Sequence, residues 1–306
     1  MSAFKNIGIN DYFARYGLKY GFTRGIFTAN PFHIVNDYEQ KKILYYKKAE
    51  KKIKKNYLKF ADTEPKGLSF GENDVKSPIW VYWKQGVDNA PDIVKACIES
   101  IKANSDGNVI ILTDENAGEY VKFPSYITEG LEKGNISTAA FSDLLRFSLL
   151  EHYGGTWIDS TVYMTGKIPD YIMKSDFFAF QDSFGLIKNP ALMSVWFLHC
   201  SAHNKVIKQT RNIAFSYWCN EKYVIEYLIP YIILTTVLEN NPKEYYKVPY
   251  ANSDYSHLLS NSLDEKFDSG KYNHIIEMVP IHKLTYKLKD DVYGSENNFY
   301  NKIIGK

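Results

Sequence analysis

One block concentrates the residues that could do chemistry: Ser142-Asp-Leu-Leu-Arg-Phe-Ser-Leu-Leu-Glu-His-Tyr-Gly-Gly-Thr-Trp-Ile-Asp-Ser-Thr161. Asp143 and Arg146 stand three apart in a segment otherwise made largely of Leu and Phe. At helical spacing they share a face with Ala139 and Leu150, where a core-facing stripe is expected. Charges so placed must be paired, with each other or with a ligand. A structural ion pair is the simpler reading, and the continuation of the block argues for the other. Gly154-Gly155 allows a sharp turn and a close approach. A short strand follows, and Asp159 falls at its carboxyl end, where open α/β sheets bind ligands. One further group, Gln181-Asp182, sits at a strand end, where a polar turn is the simpler reading.

The elements that must position these groups read as alternating strand and helix after Pro78. Ile79–Trp83 and Val109–Thr113 are runs of strand formers, with a helix from Pro91 to Ala103 between them. Strand, helix, strand without a hairpin signal implies parallel pairing and a nucleotide-type α/β sheet. Ser137 is expected to cap a helix to about Tyr153, with Gly154 as its left-handed terminator and a strand from Thr156. A strand over Phe177–Gln181, a mostly helical stretch from about 190 to 239, and a strand near His274 to Val279 complete the reading. Upstream, residues 37–60 read as one helix with Ile43, Tyr46, Ile53, Tyr57 and Phe60 on its apolar stripe and lysines elsewhere. Residues 63–77, polar with Pro65, Gly67 and Gly71, read as a linker. The expected organisation is a basic helical region over 1–62, the linker, and a catalytic domain over 78–306.

The 306 residues are 45% hydrophobic and 24% charged, which excludes a disordered or fibrous chain. Three cysteines with no C-x-x-C make a disulfide framework or zinc site improbable, so free thiols in a reducing compartment are expected. The start shows no apolar leader core, and Tyr223 to Leu238, broken by Glu226 and Pro230, falls short of a membrane span. Net charge is +2, yet residues 1–60 hold 13 Lys/Arg against 4 Asp/Glu, leaving −7 for the rest. A basic arm on an acidic body implies an anionic surface as partner. No nucleic-acid-binding pattern accompanies it, so phospholipid is expected and nucleic acid is not. The 16% aromatic content suits stacking on sugars or bases, or seating at a lipid interface; codon bias explains it equally well.

The pattern S-D-x-x-R…Y-G-G-x-W-x-D resembles the DXD region of GT-A glycosyltransferases of the kind found among capsular polysaccharide synthesis proteins. More distantly it is similar to yeast mannosyltransferases and the glucosylating clostridial toxins. The resemblance spans roughly residues 76 to 290 and includes Pro78-Ile-Trp-Val-Tyr-Trp83, Ile111-Leu-Thr-Asp-Glu-Asn116 and Pro280-Ile-His-Lys-Leu-Thr-Tyr286. It implies an α/β GT-A (Rossmann-like) nucleotide-sugar-binding domain with added helical segments.

Position by position, the resemblance implies that Trp80 stacks on the uracil of a UDP-sugar and that Asp143 and Arg146 hold the donor sugar and nearby phosphate. It implies that Trp157 and Asp159 are the aromatic and first acid of the DXD segment. The second acid is replaced by Thr161, a poorer ligand for Mn²⁺ or Mg²⁺. His282 then matches a third metal ligand and Lys283 a diphosphate contact. Gln181 and Asp182 are the candidate oxygens beneath an oxocarbenium-like centre. Ser142 and Asn189 complete the expected substrate contacts, with Asn189 among the groups that would choose between glucose and galactose. The implied reaction is retaining transfer from a UDP-hexose to a polyprenyl-diphosphate-linked saccharide, by an enzyme peripheral on the inner face of the cell membrane. The competing reading, prompted by Thr161, is a non-catalytic sugar- or nucleotide-binding assembly protein.

Overall fold

Pro78-Ile-Trp-Val-Tyr82 combines β-branched and aromatic residues, and every one of its side chains is buried, so it forms a central strand (β2, Pro78–Tyr82). The computed structural model describes residues 8–29, 38–183, 191–294 and 297–305. In chain order the remaining strands are β1 (Ser69–Phe70), β3 (Asn108–Leu112), β4 (Val121–Lys122), β5 (Gly155–Ile158), β6 (Val162–Met164), β7 (Phe177–Ser183), β8 (Ala191–Cys200) and β9 (Ile281–Lys283). Five of them make one sheet in the order β3-β2-β5-β8-β7. The pairs β2·β3 and β2·β5 are parallel, as the missing hairpin signals predicted, while β8 runs antiparallel to both β5 and β7. The α/β class and the Rossmann-like strand–helix–strand unit are therefore as expected.

The helices used below are α1 (Ile9–Tyr16), α2 (Leu18–Ala29), α3 (Tyr38–Asn56), α4 (Asp92–Asn104), α5 (Thr138–Tyr153), α6 (Lys205–Asn220), α7 (Ile229–Asn240), α8 (Ser253–Asn261) and α9 (Ser269–Met278). One core, built on Trp80, Leu145, Leu149 and Ile233, lies on one face of the sheet. A second, built on Ile79, Val81, Ile98 and Phe197, lies on the other. Ser137 caps α5 by accepting from the Ala140 N–H at 3.2 Å. Gly154 ends it at φ 68°, though with ψ −157°, an extended rather than left-handed helical cap. A side chain at Gly154 would meet the Ala202 backbone nitrogen at 2.5 Å, and one at Gly155 the Pro78 carbonyl at 2.2 Å, so only glycines bring helix and sheet this close.

Two expected elements are corrected. The stretch expected to be mostly helical from 190 begins instead with β8, a mostly apolar strand buried from Met193 to Cys200 between β5 and β7. Periodicity alone does not separate such a run from a buried helix. The strand expected near 274–279 is the end of α9, which Asp268 starts by accepting from the Lys271 N–H at 2.7 Å; the strand is β9.

The basic helix is seated on the body. Tyr46, Ala49, Ile53 and Tyr57 are buried, with Ile53 and Ala49 fully enclosed. Of the expected stripe Ile43 and Phe60 are only half-buried, and the helix expected to reach residue 60 ends at Asn56, before a separate turn over Leu58–Phe60. Lys52 pairs with Glu221 and Lys54 with Glu239, both at 2.7 Å. Burying one Ile is worth about 1.5–3 kcal/mol and a surface ion pair about 0–1, so packing rather than charge docks the helix. The segment 63–77 is not a free linker. Ser69–Phe70 pairs with Val121–Lys122, and Glu64 bonds the buried Arg211. Polar composition marked a surface segment correctly, but its backbone and carboxylate are tied down.

Candidate active site

The carboxyl ends of β2 and β5 open into a cleft of about 770 Å³. Helix α5 supplies Ser142, Asp143 and Arg146 from one side; the turn after β5 supplies Asp159 and Thr161; β9 supplies Lys283. Arg146 is 5% exposed. Its Nη2 lies 3.2 Å from Asp143 Oδ1 and 3.2 Å from Asp159 Oδ1, and its Nη1 donates to the Val195 carbonyl. Nη2 also reaches the Ser142 hydroxyl at 3.4 Å. Lys283 Nζ donates to Asp159 Oδ2 at 2.7 Å and to Thr161 Oγ1 at 2.6 Å. Pairing of β6 with β9 sets Val162 opposite Lys283, which brings the ammonium beside Thr161.

The two carboxylates are pushed in opposite directions. Burial lifts Asp143 to about 7 against the pull of Arg146, and the charge on Asp159 adds to the rise. Burial would lift Asp159 as well, but Lys283 and Arg146 outweigh it and hold that carboxyl below its ordinary value. One acid near neutrality beside one fixed anion is the electrostatic pattern of a working site.

Several expected contacts are corrected. Trp80 cannot be a stacking platform: it is 0% exposed, and its Nε1 donates to the Gly154 carbonyl at 3.0 Å. It sits mid-strand in a sheet covered on both faces, whereas a ligand lies beyond the strand ends. Trp157 is likewise enclosed; its Nε1 donates to Asp159 Oδ1 at 2.9 Å and its ring lies 4.9 Å from the Arg146 guanidinium, so it positions both charges. His282 faces away from Asp159. Neighbours on a strand point to opposite sides, so the register that aims Lys283 at the cleft buries His282, which reaches Thr165 Oγ1 at 3.1 Å and is driven down to about 4 by burial.

Gln181 and Asp182 lie at the end of edge strand β7, facing residues 251–253 rather than lining the cleft. The Gln181 N–H donates to the Ala251 carbonyl at 2.9 Å, and Asp182, raised by burial to about 6, hydrogen-bonds Ser253. Asn189 lies outside the described residues.

Sequence reasoning missed Trp83 and Tyr286, which meet edge to face at 5.4 Å on the cleft wall. Trp83 is one residue beyond the end of β2, and that offset was the available signal. Tyr227 and Tyr231 line the opposite wall. Burial raises both phenols and the charges of Asp143 and Asp159 add to the rise, with Asp182 the strongest of the charges acting on Tyr231.

The residues expected to hold a divalent ion do not fit one. His282 is turned away, Asp159 is engaged by Arg146 and Lys283, and Thr161 accepts from Lys283. Among the described residues no group of three or more His, Cys, Asp or Glu side chains could hold a metal. The donor set that remains, one carboxylate and one hydroxyl bridged by an ammonium, suits a lysine better than Mn²⁺ or Mg²⁺.

Comparison with known proteins adds three findings. The model of the family described as capsular polysaccharide synthesis protein matches residues 28–303, further toward the N-terminus than the motifs alone indicated. No curated protein matches the chain. Among solved structures, the PaToxG glycosyltransferase is similar at 15% identity and a TM-score of 0.39, covering 77% of this chain and 94% of that one. The apo structure of the bifunctional glycosyltransferase WbbM is similar at 11% identity and a TM-score of 0.41, covering 76% of this chain and 50% of that one.

Proposed function

The chain belongs to the capsular polysaccharide synthesis family, and from that premise we propose that it is a hexosyltransferase taking glucose or galactose from a UDP-sugar. The observation that carries this reading is the convergence of Arg146 and Lys283 on Asp159 in an open cleft at the ends of the parallel strands. Two cations at that point suit a diphosphate, and a cleft of about 770 Å³ suits a ligand the size of a nucleotide sugar.

The chemistry follows from the leaving group. Breaking the bond between the sugar C1 and the diphosphate oxygen puts added negative charge on UDP. Arg146 and Lys283 stabilise it, already oriented by Asp159 and Trp157, so little reorganisation is needed at the transition state. Asp143, near neutrality, accepts or donates a hydrogen bond to a sugar hydroxyl. Trp83 and Tyr286 supply the aromatic surface for the base. Retention of configuration is part of the same proposal and rests on the resemblance.

The acceptor in this reading is a saccharide on a polyprenyl diphosphate, reached at an anionic membrane surface. Among the described residues no helix is long and apolar enough to cross a membrane. Support for surface contact comes from α2, where Leu18, Phe22 and Ile26 recur every fourth residue and are 77%, 66% and 44% exposed. The exposed Lys48 on α3 lies 5.4 Å from the ring of Tyr20 on that same helix. An apolar stripe beside lysines is the pattern of an interfacial helix.

Screening UDP-sugars for turnover tests the central reading. Hydrolysis or transfer of one UDP-hexose well above the others is expected. UDP binding without turnover of any sugar, with or without acceptor, would support the non-catalytic assembly protein instead.

A further inference from the structure

We propose that Lys283 is a built-in cation standing where a divalent metal was expected, so that this chain holds the nucleoside diphosphate without a metal ion. The inference rests on the UDP-sugar reading above and concerns how that site meets its ligand.

The ammonium already makes the contacts that the family resemblance assigned to a metal. It lies 2.7 Å from Asp159 Oδ2 and 2.6 Å from Thr161 Oγ1, the first and last positions of the Asp-Ser-Thr segment. A neutral hydroxyl at 161 matters here. An acid at that position would leave two negative charges for one lysine, whereas Asp159 alone is matched by Lys283 and further engaged by Arg146 at 3.2 Å. With Asp143 ionised, these four side chains sum to zero; with it protonated, to +1. A divalent cation arriving at Asp159 would meet two positive groups within contact distance, while a diphosphate would meet the same two groups as partners.

The lysine is also held from behind. The β6·β9 pairing fixes its backbone opposite Val162, and the Leu284 N–H donates to the Thr161 carbonyl at 2.9 Å. The same register turns His282, the expected third ligand, to the other side of the strand. Lys283 keeps 19% of its side chain exposed, on the wall of the cleft. It is therefore both anchored and accessible to a ligand oxygen.

Titration calorimetry of UDP into the full chain, in EDTA and in excess Mn²⁺, tests this. The dissociation constant is expected to agree within about twofold between the two buffers. Lys283→Ala should weaken binding in EDTA roughly ten- to a hundredfold, the worth of a charge-assisted hydrogen bond. Lys283→Ala combined with Thr161→Asp should recover binding only when Mn²⁺ is present. Lys283→Gln, which keeps the length without the charge, serves if the alanine variant does not fold, and the wild-type comparison needs no variant.

Wild-type binding that disappears in EDTA and returns with Mn²⁺ would overturn the proposal and leave the UDP-sugar reading standing. Unchanged affinity in a folded Lys283→Ala or Lys283→Gln variant would overturn it too. Folded wild type that binds UDP in neither buffer would remove both the proposal and the reading beneath it.

Discussion

Two buried arginines in this molecule are each held by two carboxylates, in different surroundings. Arg211 on α6 is 2% exposed and bonds Glu151, Glu64 and the amide oxygen of Asn212. Arg146 on α5 is 5% exposed and bonds Asp143, Asp159 and the Val195 carbonyl. Glu151 and Arg146 even come from the same helix. The difference lies in what surrounds the pairs. Arg211 is not among the residues that line the cleft at Asp159; its cage clamps the 61–64 segment to α6, with Asn212 donating to the Ala61 carbonyl at 2.9 Å. Around Arg146 both carboxylates keep part of their surface toward a cleft, and Lys283 adds a second cation. Pairing explains why each charge is tolerated inside the protein; only the cleft separates a brace from a binding site.

The comparison is tested first at the brace. Arg211→Ala strands Glu151, which is 8% exposed on its side chain, and is expected to cost about 3–5 kcal/mol. That corresponds to a fall in Tm of roughly 6–10 °C at about 2 °C per kcal/mol for a chain this size. The variant that remains folded should keep normal kcat. A normal Tm with lost turnover would make Arg211 part of the site and erase the contrast.

Asp159→Asn is the mirror experiment. It keeps the shape but removes the anion that orients Arg146 and Lys283, so kcat should fall at least a hundredfold, about 2.7 kcal/mol at the transition state. Thermal stability should change less than in Arg211→Ala. A loss of less than tenfold would reduce Asp159 to a structural partner of the same kind as Glu151.

A pH series sharpens the contrast further. Asp143 keeps its proton up to about 7 in the folded chain, whereas an unfolded Asp gives it up near 4. The native state therefore binds more protons between those values, and this carboxyl's effect on stability declines as pH rises through that window and is flat above about 7. On the proposed reading, ionisation also adds a negative charge beside the diphosphate. The affinity of wild type for UDP, divided by that of Asp143→Asn at the same pH, should drop as pH passes through about 7. A ratio flat from pH 5 to 9 would mean that Asp143 does not titrate in this range.

The smallest effect is expected on the exposed face of α2. Replacing Leu18, Phe22 and Ile26 together by Ser should lower co-sedimentation with anionic vesicles severalfold without changing UDP affinity, since their side chains are largely in solvent. Equal recovery of wild type with anionic and neutral vesicles would leave α1 to α3 as a brace alone.

Much of this was legible before the fold was known. The stretch from Ser137 to Thr161 named the helix, its cap, the two glycines and the cleft pair Asp143–Arg146, because capping chemistry, glycine backbone freedom and buried charge are local constraints. The stripe on α3 was read in part for the same reason: Tyr46 and Ile53 are buried on it, while Tyr57 and Phe60 lie past its end at Asn56. Arg211, by contrast, has no local signature: its partners come from residues 64 and 151, and nothing in the 205–220 segment announces them. Trp80 and Trp83 show the same limit within six residues. The family resemblance pointed to Trp80 and passed over Trp83, but the distance from the strand end decides which one a ligand can touch.

By itself the sequence determined the element types with short-range signals, the family motif, and the presence of an unpaired-looking acid and a hydroxyl at 159 and 161. The tertiary structure alone decided which charges meet. Lys283 lies 124 positions from Asp159, yet the register of a three-residue strand delivers its ammonium to that carboxylate and turns His282 the other way. A one-residue shift of β9 would exchange the two side chains. The side-chain alternation of a strand is a local property, but which side faces the cleft is set by its partner.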